Sequence, residues 1–384
     1  MLFLGLIYAW SIFREPFNRA FPAWSVADMS MAFTLSMVFF CAGCISCGRL
    51  AYRLSYNKIL LIVGGLLLVG FLMTAQIEHI SPQSALIWLY IFYSFFCGFG
   101  IGMGYVAVIS AVVKWFPDRV GFCTGFLLMV YAFGGLVLGG GATALISELG
   151  LFNTFRFIAP ITALVLVIGA LAIKAPAAPT PVKPGARVLS NPIDVPPKQM
   201  LKTPQFWIFV TWNLVVCAGG LMVINLAAPI AGAFGAPEVL GLLVLIANGI
   251  GRIAFGSATD WFGRSKTMYV NSGFLLLAGL SLYAGALTHS PLLIMSGLLF
   301  VGISYGGSPA LMTTVARLFF GEKHYSENFS ISTLQVIPAA LAGPLISSAL
   351  FQASGTYNST FIMLTALGVT AVVLNAALNK AHKA

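Results

Sequence analysis

Apolar runs of roughly 20 residues, the length an α-helix needs to cross about 30 Å of hydrocarbon, recur along the chain between short polar or Pro/Gly breaks. They fall near residues 1–17, 30–51, 58–77, 85–113, 120–147 and 155–174, and again near 205–233, 239–260, 267–288, 291–317, 326–353 and 359–380. The pattern predicts an all-α membrane protein with twelve transmembrane helices, because the breaks are too short to hold a water-soluble domain. Residues 175–202 are rich in proline and hold Lys183, Arg187, Lys198 and Lys202, so they read as an extended linker. The expected organisation is a six-helix half over 1–174, a cytoplasmic linker over 175–203 and a second six-helix half over 204–384. The first segment is the weakest. Only about a dozen residues precede Arg14, and at roughly 1.5 Å per residue they fall short of the hydrocarbon thickness, so a native start upstream of Met1 is expected.

Composition agrees with this reading. Hydrophobic residues make up 59% of the chain and charged residues 8%, against about 25% charged in an ordinary soluble domain. The formal net charge of +10 would suit nucleic acid if it were clustered, but all of the 20 Lys and Arg except Arg252 are scattered through the breaks. Charge asymmetry gives the orientation instead, since cytoplasmic loops carry most of the Lys and Arg. With the N-terminus inside, the cytoplasmic breaks hold 16 basic residues and the outer breaks only Arg14, Arg19 and Arg156. Both termini are therefore expected in the cytoplasm of a multi-pass protein of a bacterial inner membrane. The first apolar stretch lacks the basic flank and small-residue cleavage site of a signal peptide.

Several tempting chemistries are set aside. Cys41, Cys44 and Cys47 lie three apart on one helical face with no fourth ligand following, so they read as buried packing residues and no metal site is expected. The glycine-rich runs at 98–104 and 134–141 sit in apolar helices rather than after strands, so no nucleotide cofactor is expected. His79, His289, His324 and His382 lie at helix ends or in loops, and no embedded acid pair or nucleophile–base set occurs. The chain is not read as an enzyme.

One basic residue is left over. Arg252 stands eight positions before Asp260, about 12 Å along the eighth segment. An arginine there costs roughly 2.5–3.5 kcal/mol on insertion scales, so it must face a cavity or a partner. The ten acids (Glu15, Asp28, Glu78, Asp118, Glu148, Asp194, Glu238, Asp260, Glu322 and Glu327) all fall at predicted helix ends or in loops. The natural partner of Arg252 is then a transported anion, and its planar fork suits a carboxylate. Asn248, one turn earlier, shares the face of Arg252 and either lines the cavity or bonds a neighbouring helix. Tyr8, Tyr105, Tyr131 and Tyr305 fall inside the first, fourth, fifth and tenth segments, where each hydroxyl either completes a polar cage or is satisfied by packing.

These residues carry a resemblance to the oxalate:formate antiporter family of major facilitators, relatives of the monocarboxylate transporters, over nearly the whole chain. Three stretches are specific: Lys114-Trp-Phe-Pro-Asp-Arg-Val-Gly121, Lys202-Thr-Pro-Gln-Phe-Trp207 and Asn248-Gly-Ile-Gly-Arg252. Residues 48–58 also echo 256–266, and such six-helix repeats are usual in major facilitators. The resemblance implies that Arg252 contacts a substrate carboxylate. The family's oxalate carrier adds a lysine in helix 11, where this chain reads Leu334-Gln-Val-Ile-Pro338. One buried positive charge points to a monoanion of formate or lactate size rather than a dianion. Tyr305 and Pro309 replace aromatics of the family's helix 10 site, so substrate identity does not transfer.

Gating is expected at Gly256, Asp260, Gly263 and Arg264, the superfamily's cytoplasmic latch. Its first copy has Tyr52 in place of the Asp and is expected to be weakened. The expected mechanism is alternating access by a monomer in the lipid bilayer, with a proton or counter-anion as the possible co-substrate. The alternatives are a dicarboxylate exchanger, a drug exporter and a membrane sensor that has lost transport.

Overall fold

The computed structural model describes residues 1–173, 194–224, 226–241 and 243–383, and every regular element among them is helical. The predicted linker falls mostly outside these residues. In chain order the long helices are α1, which starts as a tight 3-10 stretch Phe3–Ala9 and continues as Trp10–Ala20, α2 (Val26–Leu50) and α3 (Tyr56–Ala75). Next comes α4, built from Pro82–Leu89, a π-helical stretch Tyr90–Cys97 and Gly98–Trp115. It is followed by α5 (Val120–Leu149), α6 (Leu151–Ala172) and α7 (Pro204–Ile224). The rest are α8 (Leu243–Phe262), α9 (Arg264–Thr288), α10 (Pro291–Phe320), α11 (Tyr325–Thr333, then Val336–Ser354) and α12 (Asn358–Lys383). Among the described residues ten helices are long and apolar enough to cross a membrane. The other two are α1, whose second part is strongly amphipathic, and α8, which carries Asn248, Arg252 and Asp260.

Contacts divide the described residues into two units. One gathers those of Met1–Trp115, Val130–Pro181 and Tyr325–Ile331, and the other those of Phe116–Met129, Val182–His324 and Ser332–Ala384. In the first, α2 packs on α4 and α3 on α6; in the second, α8 packs on α10 and α9 on α12. The same pairs recur six helices later. The first unit is centred on rings of α1, α4 and α6: Trp10 and Phe13 lie against Tyr93, and Phe13 and Phe17 against Phe155. Ser25 and Asp28 form a capping box that fixes where α2 starts.

Each unit takes a piece from the other end of the chain, and glycine makes this possible. In the second unit, the start of α5 lies flat on α8: a Cβ at Gly121 would fall on the Gly256 carbonyl, and one at Gly125 on the Arg252 carbonyl. Only hydrogen on Cα lets two helix backbones approach so closely. Asp260 closes the basic end of this seam by accepting hydrogen bonds from the Gly121 and Phe122 amides, each at 2.8 Å. Those amides are among the first of α5, which have no partner inside their own helix. Gly263, at φ 80°, makes the sharp turn into α9 in a conformation that a side chain would strain.

The latch differs from expectation in two ways. Asp260 holds helix amides rather than Arg264, whose guanidinium stacks 4.7 Å from the centre of the Phe319 ring. The first copy also contains an acid, but on the opposite helix. Glu327, in the first turn of α11, hydrogen-bonds with Tyr52 and lies 3.9 Å from Arg49. Partial burial and the Glu327 carboxylate push the Tyr52 phenol up to about 12, so at neutral pH it stays protonated and donates.

Several basic residues counted as loop charges lie within helices. Arg14 is six residues from the end of α1, on an exposed polar face with Ser11, Glu15 and Asn18, while Trp10, Phe13 and Phe17 of the same helix are buried. Arg317 lies in the last turn of α10 and is only 1% exposed; it donates to the Pro117 carbonyl at 3.1 Å and pairs with Glu322.

Two stability outcomes follow from the close packing. Asp260→Ala should lower the stability of the purified protein by about 1–2 kcal/mol through loss of the α5 cap, read as a lower melting temperature in detergent. Gly256→Val should lower it more, because the new side chain meets the Gly121 carbonyl. Gly273→Ala, where no described residue lies within 4 Å of the new methyl, should not lower it.

Candidate functional site

Arg252 sits mid-way along α8 and is 3% exposed. One terminal nitrogen donates to the Leu128 carbonyl of α5 at 2.7 Å, and Nε donates to the Asn248 side-chain oxygen at 3.4 Å. Both acceptors are neutral. A guanidinium has five N–H donors, so several remain for another acceptor, and no carboxylate pairs with Arg252 among the described residues. Asn248 is thus a neighbour on the same helix that steadies the Arg252 side chain, and its backbone touches α10 at Gly306.

A polar network that the sequence analysis did not single out lies in the same unit. Asn213 of α7 is fully buried and donates to the Ser308 carbonyl of α10 at 3.0 Å. Its side-chain oxygen accepts from the Ser308 hydroxyl at 3.0 Å and from the Gln335 amide nitrogen at 2.7 Å. The Cys217 thiol, one turn along α7, is 2.9 Å from the Ser308 hydroxyl. Gln335 is placed by a break in α11. Pro338 cannot donate to the Leu334 carbonyl and its ring crowds that oxygen, so the helix opens at Leu334 and Gln335 and the Ile337 amide takes the Leu334 carbonyl at 3.1 Å instead. A signal for the network was available in the sequence, since Asn213 and Gln335 are amides within apolar segments and Pro338 follows closely.

Three of the four singled-out tyrosines come together in the first unit. The Tyr131 ring meets Tyr8 at 5.3 Å and Tyr105 at 5.2 Å between centres, and Tyr105 also stacks on Phe329. Tyr105 and Tyr131 are buried, whereas Tyr8 is 39% exposed. Tyr305 is in the second unit, where it packs on Gly220 and on the Cys217, Ala218 and Ala339 cluster.

Other polar features lie apart from these residues in their contacts. In the first unit, Ser11, Arg14, Glu15, Asn18 and Met29 line a cavity of about 190 Å³, and Glu15 there pairs with Arg19. Cys41, Cys44 and Cys47 are buried along α2, and the Cys44 thiol donates to the Gly102 carbonyl at 3.5 Å across the contact with α4. They serve close helix packing.

The fold is that of the chain's relatives. Residues 1–335 match the Major Facilitator Superfamily. The chain is 26% identical to the uncharacterized MFS-type transporter YhjX of Escherichia coli over 85% of this chain and 80% of that one. It is 25% identical to the oxalate:formate antiporter of Oxalobacter formigenes over 94% and 84%, and 24% identical to monocarboxylate transporter 10 of Danio rerio over 89% and 66%. Among solved structures, a double Trp mutant of XylE superposes with a TM-score of 0.74 at 14% identity, covering 98% of this chain and 93% of that one. A bacterial homologue of the iron transporter ferroportin gives 0.73 at 14% identity, covering 98% of each. The chain belongs to the major facilitator superfamily, with an oxalate:formate antiporter and a monocarboxylate transporter among its relatives.

Proposed function

We propose that this protein is a secondary transporter of small organic anions, above all short monocarboxylates of formate or lactate size, and that Arg252 pairs with the substrate carboxylate. The supporting observation is the state of Arg252: almost fully buried, bonded only to two neutral oxygens and matched by no carboxylate among the described residues. Neutral acceptors offset the loss of hydration but leave the charge in place. A monoanion supplies both the charge and the bidentate geometry. Arg317, the other deeply buried arginine, is engaged by Glu322, so it adds no second positive charge for a dianion.

The mechanism we infer is alternating access, with cargo and gate linked along one seam. Arg252 donates to Leu128 on the same α5 stretch that Asp260 caps. A carboxylate that takes the remaining donors neutralises the guanidinium, which weakens its bond to the Leu128 carbonyl and loosens α8 from α5. Gly256 and Gly263 then allow the helices to slide and turn, with Arg264 on the neighbouring helix. Tyr8, Tyr105, Tyr131 and Tyr305 are assigned to substrate contact in the same reading. An empty carrier holds an uncompensated charge and a loaded one is neutral, which favours exchange of anions or uptake with a proton carried on the substrate acid. The charge count supports a protein of a bacterial inner membrane with both termini on the cytoplasmic side.

Similarity to an oxalate:formate antiporter supports a second reading, exchange of a dicarboxylate. The two are separated by counterflow into liposomes with a panel of short mono- and dicarboxylates. Arg252→Gln should reduce monocarboxylate transport about 30-fold or more, the cost of truncating one partner of a buried charged pair, and Arg252→Lys should reduce it less. Undiminished transport by Arg252→Gln would sink the proposal and leave room for a drug exporter. Oxalate outcompeting every monocarboxylate would favour the second reading. No transport of any acid by the native protein would favour a sensor.

A further inference from the structure

The side-chain oxygen of Gln335 has no hydrogen-bond partner among the described residues, although the residue is only 6% exposed. Leaving such an acceptor unmet costs free energy, so buried polar atoms are nearly always paired. Its orientation is set by a chain of bonds that starts at the backbone. The Ser308 carbonyl can only accept, so the Asn213 amide nitrogen must face it. The Asn213 oxygen is then on the other side, and only the Gln335 nitrogen can donate to it. Flipping the Gln335 amide would bring two oxygens together. The atom left over is therefore an acceptor for which no described residue supplies a donor.

This acceptor belongs to a network held on α10 at Ser308, two residues beyond Gly306, where α10 meets the Asn248 carbonyl one turn before Arg252. The Cys217 thiol lies 3.7 Å from the Gln335 nitrogen. Arg252 supplies charge and donors, and Gln335 supplies a neutral acceptor. A molecule matching both has a carboxylate at one end and a hydroxyl at the other. An unsubstituted acid leaves the Gln335 oxygen unmet, and an oxo acid sets a second acceptor against it.

We propose that Gln335 is a specificity-determining residue that selects short monocarboxylates bearing a hydroxyl over those bearing no substituent or an oxo group. The inference rests on Arg252 holding the carboxylate. It is tested by titration calorimetry of purified protein with the sodium salts of propionate, 2-hydroxypropionate, 3-hydroxypropionate and 2-oxopropionate. The better of the two hydroxy acids should bind about tenfold more tightly than propionate or 2-oxopropionate, the yield of roughly one neutral hydrogen bond. In Gln335→Met and Gln335→Leu that preference should vanish while propionate affinity changes less than about twofold. Asn213 keeps both its bonds to Ser308 in these variants. Equal affinity of the native protein for hydroxy acids and propionate would mean that only water meets the Gln335 oxygen, and would overturn the inference while leaving the Arg252 reading intact. A preference that survives both substitutions would overturn it as well. If the native protein binds none of the four acids, or if Arg252→Gln binds them as well as the native protein does, the Arg252 reading falls and this one with it.

Discussion

The hydrogen bond from Arg252 to the Leu128 carbonyl joins the buried charge to the helix seam. At that point α8 meets a stretch of α5 that groups with the second unit while the rest of α5 groups with the first. Close approach is possible because Gly121 and Gly125 present no side chains to α8, and because Gly256 presents none in return. The guanidinium and the Asp260 carboxylate then grip α5 at two levels, about two turns apart along α8. The buried charge and the Asp260 cap are thus joined through one stretch of helix backbone, without a long relay between them.

The two copies of the latch show how a repeat can keep a contact while changing its chemistry. In the second copy an acid on the α8 side meets helix amides of α5. In the first, a phenol on the α2 side meets an acid in the first turn of α11, with Arg49 nearby. A carboxylate at the start of a helix already lies in the favourable field of that helix's own amides, so Glu327 answers the same end charge from within α11. Gly48 keeps the close approach there, its missing side chain leaving room for Glu327 and Ser330. The substitution at Tyr52 thus exchanges partners and does not leave the contact empty.

The alternation of apolar runs and breaks made the helices legible, because the bilayer demands their length and composition directly. Arg252 was legible by elimination: in segments so poor in charge, one arginine without an acid at its depth stands out. Helix ends were less clear. Arg14 reads as a boundary because charges usually mark breaks, yet α1 runs on to Ala20 by burying Trp10, Phe13 and Phe17 and turning its polar face outward. Contacts between distant residues were not legible at all. Asp260 and Gly121 are 139 positions apart, and no local pattern says which helix end a carboxylate will cap. Glycines and tyrosines gave places without partners: three tyrosines share one cluster and the fourth packs on Gly220.

The polar network around Asn213 shows why an amide suits this position better than a second charge would. A lysine at the break in α11 would add a second buried cation to the unit that holds Arg252, and two like charges with one monoanion would leave net charge buried. Gln335 satisfies Asn213 with one end and keeps the other end for whatever enters. The network is therefore firm on the protein side, because Asn213 is tied to α10 through both its amide nitrogen and its oxygen. Firmness there is what turns a single amide into a discriminator, since an amide free to flip would offer its oxygen to a hydroxyl or its nitrogen to an oxo group with little preference. On this account the break at Pro338 has a purpose in recognition: it lets Gln335 leave the regular face of α11 and stand where the network fixes its orientation.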